Sequence, residues 1–150
     1  MKRFLCSMLT LILLLPAAGL GEQPAKIDMN ISSMNAIMTF ATVNSILGNP
    51  RGYVGRRVKV TGWYKESKNP ATGAMDRFLT VVDMAACCFN DGSIFLQLLV
   101  EEGQEFSYPQ EGQQCTVVGV IDAMGGGEET GVLRLESITA LDHWQSEVYW

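Results

Sequence analysis

The chain has 150 residues, with 16 acidic and 11 basic side chains and a formal net charge of −5. That length suits one domain, able to bury about two-thirds of its unfolded surface without disulfide or metal staples. It is too short for a transporter or a multidomain enzyme, and its acidity opposes general nucleic-acid binding, whose affinity comes from neutralising phosphates.

Lys2 and Arg3 precede an uncharged apolar run from Met8 to Leu15, and then the small-residue stretch Pro16-Ala17-Ala18-Gly19-Leu20-Gly21. This is the layout of a secretory signal peptide. It is expected over residues 1–21, with a buried N-terminal helix as the alternative. The apolar run falls short of the roughly 20 residues that span a membrane. Cys6 lies before the run rather than at a cleavage point, so it does not read as a lipid-anchored cysteine. Removal of the signal leaves nine basic and 16 acidic residues, a charge of −7. It also leaves Cys87, Cys88 and Cys115. Exported proteins usually pair their cysteines, and an odd count leaves one over. The compartment expected is periplasmic or extracellular.

Residues 22–33 (EQPAKIDMNISS) are polar and read as a flexible leader. Asn30-Ile31-Ser32 fits an N-glycosylation acceptor, meaningful only for a eukaryotic source. Between Met34 and Leu47 the apolar residues fall at helical spacing. Ala36, Phe40, Val43 and Leu47 form a stripe that Met34, Ile37, Met38 and Ala41 widen. Ser33 is placed to cap this helix, and Gly48-Asn49-Pro50 to stop it. Met29, Met34 and Met38 read as packing residues before soft-metal ligands. Strands are then expected near 57–65, 76–83, 93–100, 115–122 and 132–139, from alternating or continuous apolar runs between turn-rich loops. The stretch 101–114 is polar and acidic, and Gly125-Gly126-Gly127 tips a hairpin.

Five short strands at this spacing point to a mainly β fold. The expected form is a five-stranded OB-like Greek-key barrel preceded by one helix, over residues 34–150. An SH3-like barrel and an open sandwich compete. Gly62 and Gly119 fall where a tight barrel bends or bulges.

The stretch from Asn49 to Gly62 (NPRGYVGRRVKVTG) resembles the opening of many exported bacterial barrels of this type. Arg77 to Val82, followed by Ala86-Cys87-Cys88-Phe89-Asn90-Asp91, is similar to a narrower group. That group is the extracytoplasmic domain of small partner proteins of uncharacterised bacterial permeases. Thr116-Val117-Val118-Gly119 stands where that group carries a Val-x-Val-x-Gly strand. Asn90 and Gly92 depart from the alanines that usually flank the Asp. The resemblance implies fold and compartment, not a reaction.

Asp83, Cys87, Cys88 and Asp91 share one loop. Thiolates and carboxylates are ligands for zinc, and thiolates also for monovalent copper. The alternatives are a vicinal or other disulfide, and inert buried thiols. Cys115 lies on the side of its strand shared by Val117, Gly119 and Ile121, so it is expected as a buried free thiol apart from the other two. The single histidine, His143, reads as part of a tail beyond the last strand, too remote for a Cys–His pair. No phosphate-binding loop is present: Glu128 and Glu129 follow the glycine run. Arg51, Arg56, Arg57, Lys59, Lys65 and Lys68 surround Trp63 and Tyr64, the elements of a single-strand groove. From Glu101 on, however, ten acids face one base, Arg134. Nucleic acid is therefore not an expected partner. The expectation is an exported binding module, not an enzyme, that contacts an envelope protein or a small ligand through Trp63, Tyr64, Cys87 and Cys88. The alternative is a metal-handling or redox-active protein built on Asp83, Cys87, Cys88 and Asp91.

Overall fold

In the computed structural model, which describes residues 25–82, 92–126 and 128–144, the chain is mainly β with one helix. The elements are β1 (Met29–Asn30), α1 (Ala36–Gly48), β2 (Arg57–Lys68), β3 (Met75–Val82), β4 (Ser93–Leu99), β5 (Gln113–Met124) and β6 (Thr130–Trp144). The helix and the five longer strands lie where the sequence places them, with β2, β5 and β6 running further than expected. His143 consequently sits exposed within β6 rather than in a tail.

Asn35, not Ser33, caps α1. Its side-chain oxygen accepts from the Met38 amide at 2.9 Å, which satisfies one of the amides left open at a helix start. The Ser33 hydroxyl donates instead to the Asn30 carbonyl at 2.8 Å. The buried stripe is narrower than the periodicity suggests. Val43 and Ile46 are fully buried and Phe40 and Leu47 partly so, while Ile37 and Met38 are exposed.

Residues 22–33 read as a leader, yet the described part of that stretch is joined to the sheet. β1 pairs in parallel with Val58 and Lys59 of β2. The Asp28 amide donates to the Arg57 carbonyl at 2.8 Å, and the Arg57 amide donates to the Asp28 carboxylate at 2.9 Å. Ile31 is wholly buried, worth about 1.5–3 kcal/mol. Ile27, Met29 and Ile31 alternate with Asp28, Asn30 and Ser32, a short strand-like pattern that the polar composition of the stretch hides.

β2 pairs with β3, and β3 with β4, all antiparallel. β4 pairs in parallel with β6, β6 antiparallel with β5, and β5 antiparallel with β2. The five long strands thus form a ring. Alternation along each strand turns Val58, Val60 and Tyr64, Leu79 and Val81, Leu96 and Leu98, and Cys115, Val117 and Ile121 into its core. Gly62 and Gly119 mark tight crossings. A Cβ at Gly119, beside an irregularity of the β5–β6 ladder, would lie 2.2 Å from the Arg134 carbonyl oxygen. At Gly62 it would lie 2.6 Å from the Thr80 carbonyl oxygen.

α1 packs on β3, β4 and β6. The polar stretch 101–112 returns two aromatic rings to the core near the start of β3. Tyr108 stacks on Tyr64 at 5.8 Å between centroids, Phe106 meets Tyr108 edge-on at 6.1 Å, and the Arg77 guanidinium lies 4.2 Å from the centre of the Tyr108 ring.

Candidate functional site

The two edges of β2 have different partners. One edge pairs with β5 without a break from Arg57 to Trp63. The other pairs with β1 at Val58 and Lys59, and with β3 only from Trp63 onward. Between those two ladders no strand lies along this edge among the described residues. The turn Ile31–Ser33 leads the chain away on one side, and β3 continues past Thr80 to Val82 on the other. A pocket of about 330 Å³ occupies the gap.

β2 contributes Thr61, Trp63 and the backbone of Gly62 to the lining. Ser32, Met34, Ala36 and Thr39 come from the N-terminal side, Thr80, Val81 and Val82 from β3, and Gln114 from β5. None of these side chains carries a charge. The hydroxyls form a partial network. Thr61 donates to the Ser32 hydroxyl at 2.9 Å and accepts from the Thr116 hydroxyl at 2.8 Å. Thr39 donates to the Ile31 carbonyl at 3.4 Å. Thr80 stands apart: it is wholly buried, and its hydroxyl has no hydrogen-bond partner among the described residues. Leaving a buried hydroxyl unpaired costs about 1–3 kcal/mol, so such a group in a native fold calls for a reason. Thr80 is the cross-strand neighbour of Trp63, which places the orphan hydroxyl and the indole on one face.

No protein-family model matches the chain, and no curated protein matches it either.

Trp63 and Tyr64, grouped by the sequence as ligand contacts, part company here. Consecutive strand residues face opposite sides of a sheet. Trp63 is half-buried and lines the pocket, whereas Tyr64 is only 1% exposed and belongs to the core. The Tyr64 hydroxyl donates to Glu66 at 2.6 Å. Burial first, and that bond second, hold its phenol well above its ordinary pKa. Asp83, Cys87, Cys88 and Asp91, with the zinc or copper site suggested for them, lie outside the described residues, and Asp83 directly follows the lining residue Val82. Among the described residues no cluster of three or more His, Cys, Asp or Glu side chains is placed to hold a metal ion.

Cys115 opens the core side of β5, opposite Gly62. It is free and fully buried, as its position in the run to Ile121 implies. Burial pushes its thiol up to about 12, which suppresses the nucleophilic thiolate at neutral pH. The basic cluster is partly neutralised. Arg51 forks onto Glu129 at 2.9 and 3.2 Å, and Arg57 reaches Glu136 at 2.5 Å; outside the cluster, Arg77 lies 3.7 Å from Glu66. The hydrogen bond and charge of each partner raise the Arg51 pKa and lower that of Glu129. Both side chains of that pair are solvated, so it adds little stability.

Ser32, Thr61, Thr80 and Gln114 escape sequence reading. They come from four separate segments, share no spacing, and are common residue types on strands and turns. Trp63 is the lining residue that the sequence offers as a ligand contact, and Met34, also in the lining, reads there as a packing residue.

Proposed function

We propose that this chain is an exported binding module that holds a small ligand in the pocket beside Trp63, and that it is not a catalyst. The observation that carries this reading is the interrupted edge of β2. Where the β1 and β3 ladders end along β2, an opening of about 330 Å³ remains, within the roughly 300–1,000 Å³ of ordinary ligand sites; a second, of about 260 Å³, lies beside Glu101, Arg134 and Glu136. We read the ring as an OB-like Greek-key barrel. The order of its long strands, first, second, third, fifth, fourth and back to the first, supports that assignment. The charged start, apolar run and small residues of positions 1–21 support export, as does the resemblance to the partner proteins of bacterial permeases. An envelope protein is the other partner considered. A half-buried indole set in a pocket favours the small ligand, since a protein contact asks for a broader exposed patch. The described lining residues include no ionisable side chain, which speaks against acid–base or nucleophilic catalysis by them.

A thermal-shift screen of the purified exported protein tests this, using a mixed set of neutral, anionic, cationic and apolar small molecules. The comparison protein is Ala36→Trp, which places a bulky ring at an exposed lining position. At least one chemical class should raise the melting temperature of the wild type and not of Ala36→Trp. Failure of every class, or equal shifts in both proteins, sinks the reading. Stoichiometric zinc or copper in the purified protein would move the function to Cys87 and Cys88.

A further inference from the structure

Resting on the pocket reading above, we infer that its ligand is a single uncharged sugar ring, recognised by hydroxyls and one indole. Three observations lead there. The first is charge. No described lining residue is ionisable, so a charged ligand entering the gap would lose hydration and gain no counter-charge from them, a loss that uncharged polar groups do not suffer to the same degree. The second is the kind of polar group. Ser32, Thr39, Thr61 and Thr80 are hydroxyls: Thr39 and Thr61 spend their protons on Ile31 and Ser32 and can still accept, Ser32 can still donate, and Gln114 offers both functions through its amide. Such a lining suits a ligand whose own groups do the same, which is what a polyol is. The third is the unfinished bond. The Thr80 hydroxyl is buried without a partner, directly across the β2–β3 ladder from Trp63. The Thr80 oxygen is sealed from solvent, so a ligand hydroxyl beside the indole would complete the bond with a small shift of the lining.

The size agrees. The opening of about 330 Å³ lies at the small end of the roughly 300–1,000 Å³ of ligand sites, which suits one ring, whereas an oligomer would have to extend beyond the gap. Trp63 supplies the apolar surface that a sugar's C–H face needs, and Met34, Val81 and Val82 add to it. An aromatic ring with polar neighbours is suited to a ligand with one apolar and one wet side.

The test uses three sugars that share one ring and differ in charge: N-acetylglucosamine, glucuronate, and glucosamine at pH 6. Each is titrated into the exported protein by calorimetry, with hexanol as the apolar control. N-acetylglucosamine should bind with a dissociation constant below about 10 mM, and the charged sugars at least about tenfold more weakly. Thr80→Val should weaken N-acetylglucosamine by at least about tenfold while its melting temperature holds or rises, since it deletes an unpaired buried hydroxyl. Thr80→Ser, which keeps the hydroxyl, should retain most of the binding. Trp63→Leu should lose as much as Thr80→Val. Tighter binding of glucuronate, glucosamine or hexanol, abolished by Ala36→Trp, overturns the sugar assignment and leaves the pocket reading standing. If none of the four binds, or if Thr80→Val binds N-acetylglucosamine as well as wild type does, the assignment falls. Should the wider screen above also fail, the pocket reading falls with it.

Discussion

One edge of β2 is continuous and the other is shared. On the continuous edge, Arg57 to Trp63 pairs residue for residue with β5, and the same stretch of β5 is backed by β6. On the shared edge, β1 and β3 take opposite ends and leave the middle open. Across the β2–β5 ladder Val58, Val60, Cys115 and Val117 face the core and are completely buried. The shared edge leaves Thr61 and Trp63 half-buried against a cavity, with one hydroxyl beside them unpaired. A single strand therefore supports a closed core on one face and a site at one edge. The strand's alternation decides which residues face the core, and where its neighbours stop decides where the site opens.

The sharpest break of the continuous edge is Gly119→Ala. Its Cβ would fall 2.2 Å from the Arg134 carbonyl oxygen, and backbone cannot swing aside as a side-chain tip can. A loss of about 3 kcal/mol is expected, at the upper end for overpacking, read as a lower urea midpoint at unchanged slope. Tolerance of alanine would mean that β5 and β6 are not in close contact there.

Ile31→Ala tests the shared edge. Ile31 is the buried anchor of the turn that follows β1, and truncating a buried isoleucine costs about 2–5 kcal/mol. About 2 kcal/mol is expected here, because the anchor lies at the margin of the core and the site can relax. Ligand binding should fall with it, since Ser32 is the next residue and lines the pocket. Full stability together with full binding would show that the N-terminal side is not part of the site.

These two positions also show what sequence can and cannot reveal. The continuous edge is legible because its evidence is local. Arg57 to Thr61 and Cys115 to Ile121 alternate, and Gly119 breaks the second run where a close crossing needs it. Ile31, Phe106 and Tyr108 are hard to read because the alternations they belong to, Ile27, Met29 and Ile31 in one case and Phe106 and Tyr108 in the other, are short and set in otherwise polar stretches. Their burial depends on tertiary neighbours: β2 for Ile31, and Tyr64 for Tyr108. The pocket is legible only through Trp63. Its other polar members come together because two ladders end, and no spacing in the chain encodes where a ladder ends. Tyr64 was grouped with Trp63 by adjacency, which in a strand is the one relation that guarantees opposite faces.

Cys115 probes the continuous edge without altering its shape. Its folded-state pKa is raised by burial from about 9 to about 12. A raised folded value means that the stabilisation is complete below about pH 9 and is lost as pH rises from there toward 12. Tyr64, also raised, acts in the same direction from about pH 10 upward. Stability should therefore hold between pH 7 and 8.5 and drop by about 1 kcal/mol at pH 10. Cys115→Val should flatten the early part of that fall. The thiol should also resist aromatic-disulfide reagents until the protein unfolds. Prompt reaction in native buffer, or a pH profile that Cys115→Val leaves unchanged, would mean that the core side of β5 is open to water.

The mildest change expected is Thr61→Val, and it bears most directly on how the two edges are joined. The Thr61 hydroxyl donates to Ser32 on the shared side and accepts from Thr116 on the continuous side. It is the described side chain that hydrogen-bonds across β2 in both directions. Valine keeps the branched shape and removes both bonds. The partner hydroxyls are only part-buried, so water can replace much of what is lost, and the cost should be about 0.5 kcal/mol, at the low end for a hydrogen bond. Its effect on exchange should be uneven. Amides of β1 and the turn after it should lose protection from hydrogen exchange, while those of the β2–β5 ladder keep theirs, because regions with few buried contacts open first. Equal loss on both sides would show that the two edges open as one unit, and that the gap beside Trp63 is as firmly held as the ladder behind it.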